Sequence, residues 1–193
     1  GNDDYETVIG SVIRRNDPSN SVLETCLSVL GDPGAKPIKP VEDALSRTPR
    51  AWAGNPTPEI RSAQILSLVC RDPAREPRVL AAFERHRARP VNINRVYDKG
   101  VPEVQELPAM HWCCFFLART LGNLADPRSA GPLIATLDQS AAEAAGGRPD
   151  PTGNGVLFLH NALTPCWRAE VAWALGRIGD RKAAPVLLKV IKD

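Results

Sequence analysis

The chain has few of the residues that build strands and few of the motifs that build active sites. Aromatic residues make up only 5% of its 193 residues, and the β-branched and aromatic types that favour strands are thin throughout. No apolar run of the length needed to cross a bilayer as a helix is present, so no membrane span is expected. Neither sign of charge prevails: 24 Lys and Arg face 22 Asp and Glu, a net charge of +2. So small a surplus gives no global pull towards nucleic acid or an anionic membrane. Cysteines are odd in number and form no CxxC pair, which argues against a disulfide framework. Cys26, Cys70, Cys113, Cys114 and Cys166 are each expected on a core-facing helix, as reduced thiols in the cytoplasm. Residues 1–6 are polar and acidic, unlike a signal peptide, and the chain reads as a module of a larger protein.

Catalytic signatures are missing as well. There is no G-x-S-x-G elbow and no phosphate-cradling loop; Gly122, Gly176 and Gly179 read as helix and helix-turn glycines. His111 and His160, with Cys113, Cys114 and Cys166 nearby in sequence, are metal ligands by type. None has the close spacing of a zinc motif, and adjacent Cys113 and Cys114 point about 100° apart on a helix. No metal and no cofactor are therefore expected.

What the chain does have is hydrophobic content of 43%, supplied mostly by Ala, Leu and Val, and an internal repeat. Four apolar helical stretches, 23–30, 60–70, 113–124 and 167–178, each run into an aspartate: Asp32, Asp72, Asp126 and Asp180. Proline follows the first three. Aspartate accepts the free amide hydrogens of a new helix, and proline suits a first position that needs no donor. Each aspartate thus marks the bend of a helical hairpin. The best copies read ARTLGNLADPRSAGPLIATL and AWALGRIGDRKAAPVLLKVI, and Thr57-Pro58 matches Thr164-Pro165 as the start of a first helix.

Helical spacing assigns the buried faces. Cys113, Phe116, Leu117, Thr120, Leu121 and Leu124 form one stripe, and Trp167, Val171, Ala174, Leu175 and Ile178 another. Ala184, Leu187, Leu188 and Ile191 form the stripe predicted for the last helix. The expected helices are 5–15, 20–30, 37–46, 58–71, 76–87, 108–124, 128–144, 165–178 and 181–192. One hairpin cannot bury such faces alone, but stacked neighbours can share a core.

This grammar resembles the HEAT family, in the short bacterial form named after phycocyanobilin lyase subunits. Leu121-Gly122 with Asp126-Pro127-Arg128, and Leu175-Gly176 with Gly179-Asp180-Arg181, carry the resemblance. It is strongest over 112–140 and 166–193. The fold it implies is all-α: a right-handed α-solenoid of about four HEAT-like hairpins plus an N-terminal helix. The repeats fall at 19–50, 57–87, 108–144 and 164–193 in a single domain, 1–193. Such repeats mostly serve as protein-interaction scaffolds, with some enzymes among them. The iron-binding members pair His with Glu in successive repeats; here Arg87, Trp112 and Asn161 follow His86, His111 and His160, so no ligand carries over.

Asp32 and Asp72 are 40 residues apart, a hairpin-repeat length, whereas Asp126 lies 54 after Asp72 and Asp180 a further 54 on. The excess sits in two inserts, 88–107 and 145–163, both leaving the same edge of the stack. They carry apolar residues such as Val101 and Phe158, so ordered packing and a binding role are expected of them. The predicted function is noncatalytic docking of a protein partner. Contacts are expected from Tyr97, Asp98, Lys99, His111, Phe158, His160, Asn161 and Arg168. The rival reading is a bilin-lyase-type enzyme subunit with a pocket between the inserts. Between Arg71 and Arg95, seven arginines oppose three acids, making Arg78, Arg85 and Arg89 candidates for an anion patch. One such patch is a small footprint for a nucleic-acid duplex, so nucleic acid is not the expected partner.

Overall fold

Three of the four marker aspartates sit at the bends their spacing predicts. In the computed structural model of the chain, residues 20–31, 58–88, 106–145 and 156–192 are described, with side chains at 21–31, 58–88, 111–138 and 166–191. Asp72, Asp126 and Asp180 each adopt extended backbone and accept a hydrogen bond from the amide two residues on, at 3.0, 2.9 and 2.9 Å. What each caps is a single 3-10 turn, Pro73–Arg75, Pro127–Ser129 or Arg181–Ala183, which then opens into the second α-helix. The reason is local: a second bond closes from the amide three residues on to the aspartate's own carbonyl, at 3.0, 3.1 and 2.9 Å. Arg128 also donates to the Asp126 side chain and holds that carboxyl below the usual range. Asp32 lies outside the described residues.

Among the described residues the fold is entirely helical. The helices are α1 (Asn20–Gly31), α2 (Pro58–Val69), α3 (Glu76–Arg87), α4 (Glu106–Leu124), α5 (Ala130–Ala145), α6 (Val156–Ile178) and α7 (Ala184–Lys192). The expected helices 5–15 and 37–46 fall outside the described residues. α2 starts at Pro58, as the Thr57-Pro58 pair predicts. Its counterpart does not hold. α6 begins at Val156, eight residues before Thr164, and runs through Pro165. The run 156–163 is rich in the helix formers Leu and Ala and extends the helix upstream. Proline then forfeits one backbone bond inside a long helix instead of starting a new one. The second insert is therefore shorter than expected; of 145–163, only 146–155 fall outside the described residues, and the rest is helical.

The first helices of the hairpins pack in chain order, α1 on α2, α2 on α4 and α4 on α6. The second helices lean forward: α3 rests on α4 and α5 on α6 more extensively than either rests on its own hairpin partner. One continuous apolar core results, running from Val22 in α1 to Val186 in α7. Phe83 of α3 meets Trp167 of α6 edge to face, with ring centroids 6.5 Å apart. The predicted stripe of α4 is buried in full, and so is that of α6 except Ile178, which is half-buried.

Polar staples cross between hairpins at the bends. Arg75 and Arg78 both pair with Glu24 of α1. At the next bend Glu76 is buried, accepts a hydrogen bond from the Ser129 hydroxyl and lies 3.6 Å from Arg128. Asn123 of α4 donates to the Ser67 carbonyl of α2 at 2.8 Å.

The last helix corrects an expectation. Ala183 and Val186 are the residues buried around it, while Ala184, Leu188 and Ile191, three members of the predicted stripe, are exposed. Both sides of α7 are apolar, and the spacing alone picked the side that α5 does not cover. Equivalent positions one repeat apart show the contrast: Leu137 in α5 is 0% exposed and Ile191 in α7 is 81% exposed.

The same equivalence exposes a strained residue. Just before their aspartates, Ala125 has φ 51° and Gly179 has φ 73°, both left-handed. Glycine enters this region freely, whereas a Cβ costs about 1 kcal/mol or more there. Ala125→Gly should therefore raise the unfolding free energy by about 1 kcal/mol and Gly179→Ala lower it by a similar amount. Urea titration of the two variants checks both signs.

Candidate functional site

The most distinctive exposed chemistry lies where α4 and α6 cross. Gly122 in α4 lets α6 approach so closely that a Cβ built on it would stand 2.5 Å from Trp173 Cζ3 and 2.9 Å from the Ala174 Cα. The Trp173 ring thus lies over the glycine, with one side on α4 and 38% of the residue still open to solvent. Two guanidinium groups lie against that ring: Arg119 of α4 at 5.5 Å from its centroid and Arg177 of α6 at 5.9 Å. Both are within the range of cation–π attraction.

Glu170, one turn before Trp173, fixes one of these cations. Its Oε2 lies 3.5 Å from Arg119 Nε, with the carboxylate side chain turned mostly inward. Burial raises the Glu170 pKa and the Arg119 charge opposes that rise. Arg71, just before the Asp72 bend, donates to its neighbour's carbonyl, Cys70 O, at 2.8 Å. Burial, above all, lowers the Arg71 pKa, and the nearby Arg177 charge adds to the fall. Two arginines from adjacent hairpins therefore meet one exposed tryptophan, and Glu170 pairs with one of them. Among the described residues no carboxylate forms an ion pair with Arg71 or Arg177.

None of these residues was among the sequence-derived candidates, yet a signal existed. Arg119 and Trp173 both stand seven residues before a marker aspartate, and Trp173 and Arg177 are one turn apart. The repeat alignment superimposes positions; it does not say that neighbouring copies of a position touch, which is what builds this cluster.

The expected site residues fare differently. His111, expected at an exposed helix start, is only 2% exposed, because α4 begins two residues early and its aromatic start is folded into the core. It is withdrawn as a direct contact. Arg168 is half-buried on α6, with Nε and Nη2 buried and without hydrogen-bond partners. Phe158, His160 and Asn161 lie on α6, not on a loop, and their side chains are outside the described residues, as are Tyr97, Asp98, Lys99 and Arg89 entirely. Of the anion-patch candidates, Arg78 pairs with Glu24 and Arg85 donates to the Leu30 carbonyl at the end of α1. These two arginines staple hairpins together and do not form an open anion surface.

Cys26, Cys70, Cys113 and Cys114 are buried free thiols, as expected, whereas Cys166 is exposed. Burial pushes the pKa of Cys26 up to about 12, Cys70 to about 11 and Cys114 to about 12. These three are poor thiolate nucleophiles for that reason. Among the described residues no group of three His, Cys, Asp or Glu side chains is arranged to hold a metal ion, and no helix is long and apolar enough to cross a membrane.

Helical hairpins of one grammar, stacked in chain order and capped at equivalent aspartates, define a helical-repeat protein. The comparison with protein families agrees: residues 167–193 match the family described as PBS lyase HEAT-like repeat. No curated protein and no solved structure matches the chain.

Proposed function

We propose that the chain is a right-handed solenoid of HEAT-like hairpins that acts as a noncatalytic docking scaffold for a protein partner. The observation that carries this reading is the exposed Trp173 ring held between Arg119 and Arg177. Tryptophan and arginine are the residues most often found to dominate protein–protein binding energy. The forward lean of α3 and α5 supports the scaffold part, since it couples each hairpin to the next. The insert residues Tyr97, Asp98 and Lys99, with Phe158, His160, Asn161 and Arg168 of α6, stay in this proposal as a second contact region.

The rival from a different class is a tetrapyrrole-handling enzyme subunit, and one titration separates the two. Mixed with a linear tetrapyrrole, the chain is expected to leave the visible absorption of the pigment unchanged. A shifted band that saturates at one pigment per chain would overturn the docking reading in favour of the enzyme.

A further inference from the structure

We infer that Trp173, Arg119 and Arg177 form a docking site for an acidic peptide segment. The inference rests on the docking reading above and adds the chemistry of the partner.

The geometry matters more than the charge count. A guanidinium carries its N–H donors in its own plane, so one held near a ring centroid can keep that attraction while offering donors to a ligand. Arg119 faces Glu170 through Nε as an ion pair at 3.5 Å, without a hydrogen bond, and its terminal nitrogens remain to meet a ligand. Glu170 therefore positions Arg119 against Trp173 and does not cancel the site; its carboxylate is mostly buried, while Arg177 stands exposed. A peptide carboxylate fits the fork of such a donor set with two parallel bonds. Its aliphatic carbons would cover what remains open of the indole, the apolar centre that a charged rim requires.

Charge complementarity selects the occupant. Arg119 and Arg177 against one inward carboxylate leave a local positive surplus on a chain whose net charge is only +2. A nucleic acid would need a longer basic track, and its bases would need a free aromatic face to stack on. Here the exposed ring is already engaged by two cations, and the other arginine-rich stretch spends Arg75, Arg78 and Arg85 on α1.

The test uses the full chain and a short fluorescein-labelled peptide of alternating Glu and Asp, followed by anisotropy. Its Gln and Asn counterpart and an oligothymidylate of similar length are the comparison probes. The acidic peptide is expected to bind saturably and to weaken as salt rises, while the amide peptide binds at least about tenfold more weakly. Arg177→Glu, at an exposed position, should reduce affinity about a hundredfold through loss of one pair and added repulsion. Arg119→Gln should reduce it about tenfold. Circular dichroism melts of both variants establish that they are folded. Trp173→Phe keeps a ring over Gly122 and should bind with affinity reduced by less than tenfold. Equal affinity for the amide peptide overturns the site, as does an Arg177→Glu variant that binds as wild type. Tighter binding of oligothymidylate than of the acidic peptide also overturns it and makes the surface a nucleic-acid site. Failure of the acidic peptide removes the acidic character of the partner and leaves Trp173 open to a partner of other chemistry, whereas a shifted pigment band overturns the docking reading itself.

Discussion

Gly122→Ala is expected to destabilise the protein by about 3 kcal/mol, while Gly176→Ala, at the equivalent place one repeat on, is expected to stabilise it by about 1 kcal/mol. Both glycines lie inside helices, where alanine is intrinsically the better residue. At Gly176 nothing lies within 4 Å of the added methyl, so only the propensity gain remains. At Gly122 the methyl would meet a ring carbon at 2.5 Å and a backbone carbon at 2.9 Å. The ring could turn aside, but the Ala174 Cα moves only if α6 shifts away from α4, and that contact is the most extensive between any two helices. Adding Trp173→Ala to Gly122→Ala should recover part of the loss and leave the part due to Ala174. Chemical denaturation of the three variants checks the signs. Equal effects at the two glycines would mean that α6 does not seat on Gly122.

Ser129→Ala is expected to cost about 2 kcal/mol, because it strips a buried carboxylate of a hydroxyl donor. Glu76 has little contact with solvent and accepts from Ser129, with Arg128 nearby at the surface. Losing one member of a buried polar pair costs more than losing both to an apolar replacement. The double variant Glu76→Leu, Ser129→Ala should therefore lie within about 1 kcal/mol of the wild type. A double variant as unstable as Ser129→Ala alone would show that the hydroxyl does not hold the carboxylate. Thermal melts of the single and double variants measure the coupling between two adjacent hairpins.

Much of the scaffold was legible because its signals are local. Aspartate caps depend on a few consecutive residues, and Asp72, Asp126 and Asp180 cap as their neighbours dictate. The stripe of α4 was legible too, since a helix enclosed on several sides buries an unambiguous face. What was not legible depends on neighbours in space. The stripe of α7 was misassigned because apolar residues occupy both sides and only the position of α5 decides between them. Thr164-Pro165 has the chemistry of a helix start, but the run before it is equally helical, so the same dipeptide opens α2 and lies inside α6. Arg78 and Arg85 looked like a free basic surface because Glu24 and the Leu30 carbonyl lie more than fifty residues away in sequence. The Trp173 cluster escaped for a related reason: its members come from two hairpins, and each alone reads as an ordinary helix-surface residue.

The difference between Leu137 and Ile191 has a kinetic meaning as well. Burying a side chain of that size is worth about 2 kcal/mol, and α7 forgoes most of it at Ile191 while α5 collects it at Leu137. In a stack whose units hold on chiefly to their neighbours, local opening begins where the neighbour contacts are fewest. In this chain on its own, the backbone amides of α7 are therefore expected to exchange with solvent through small fluctuations that leave the rest of the stack closed, which hydrogen exchange would read. Those of α4, enclosed by α2, α3 and α6, are expected to exchange only when the stack comes apart. Among the described helices, protection is thus expected to follow how many neighbours each one touches and not the helix propensity of its residues.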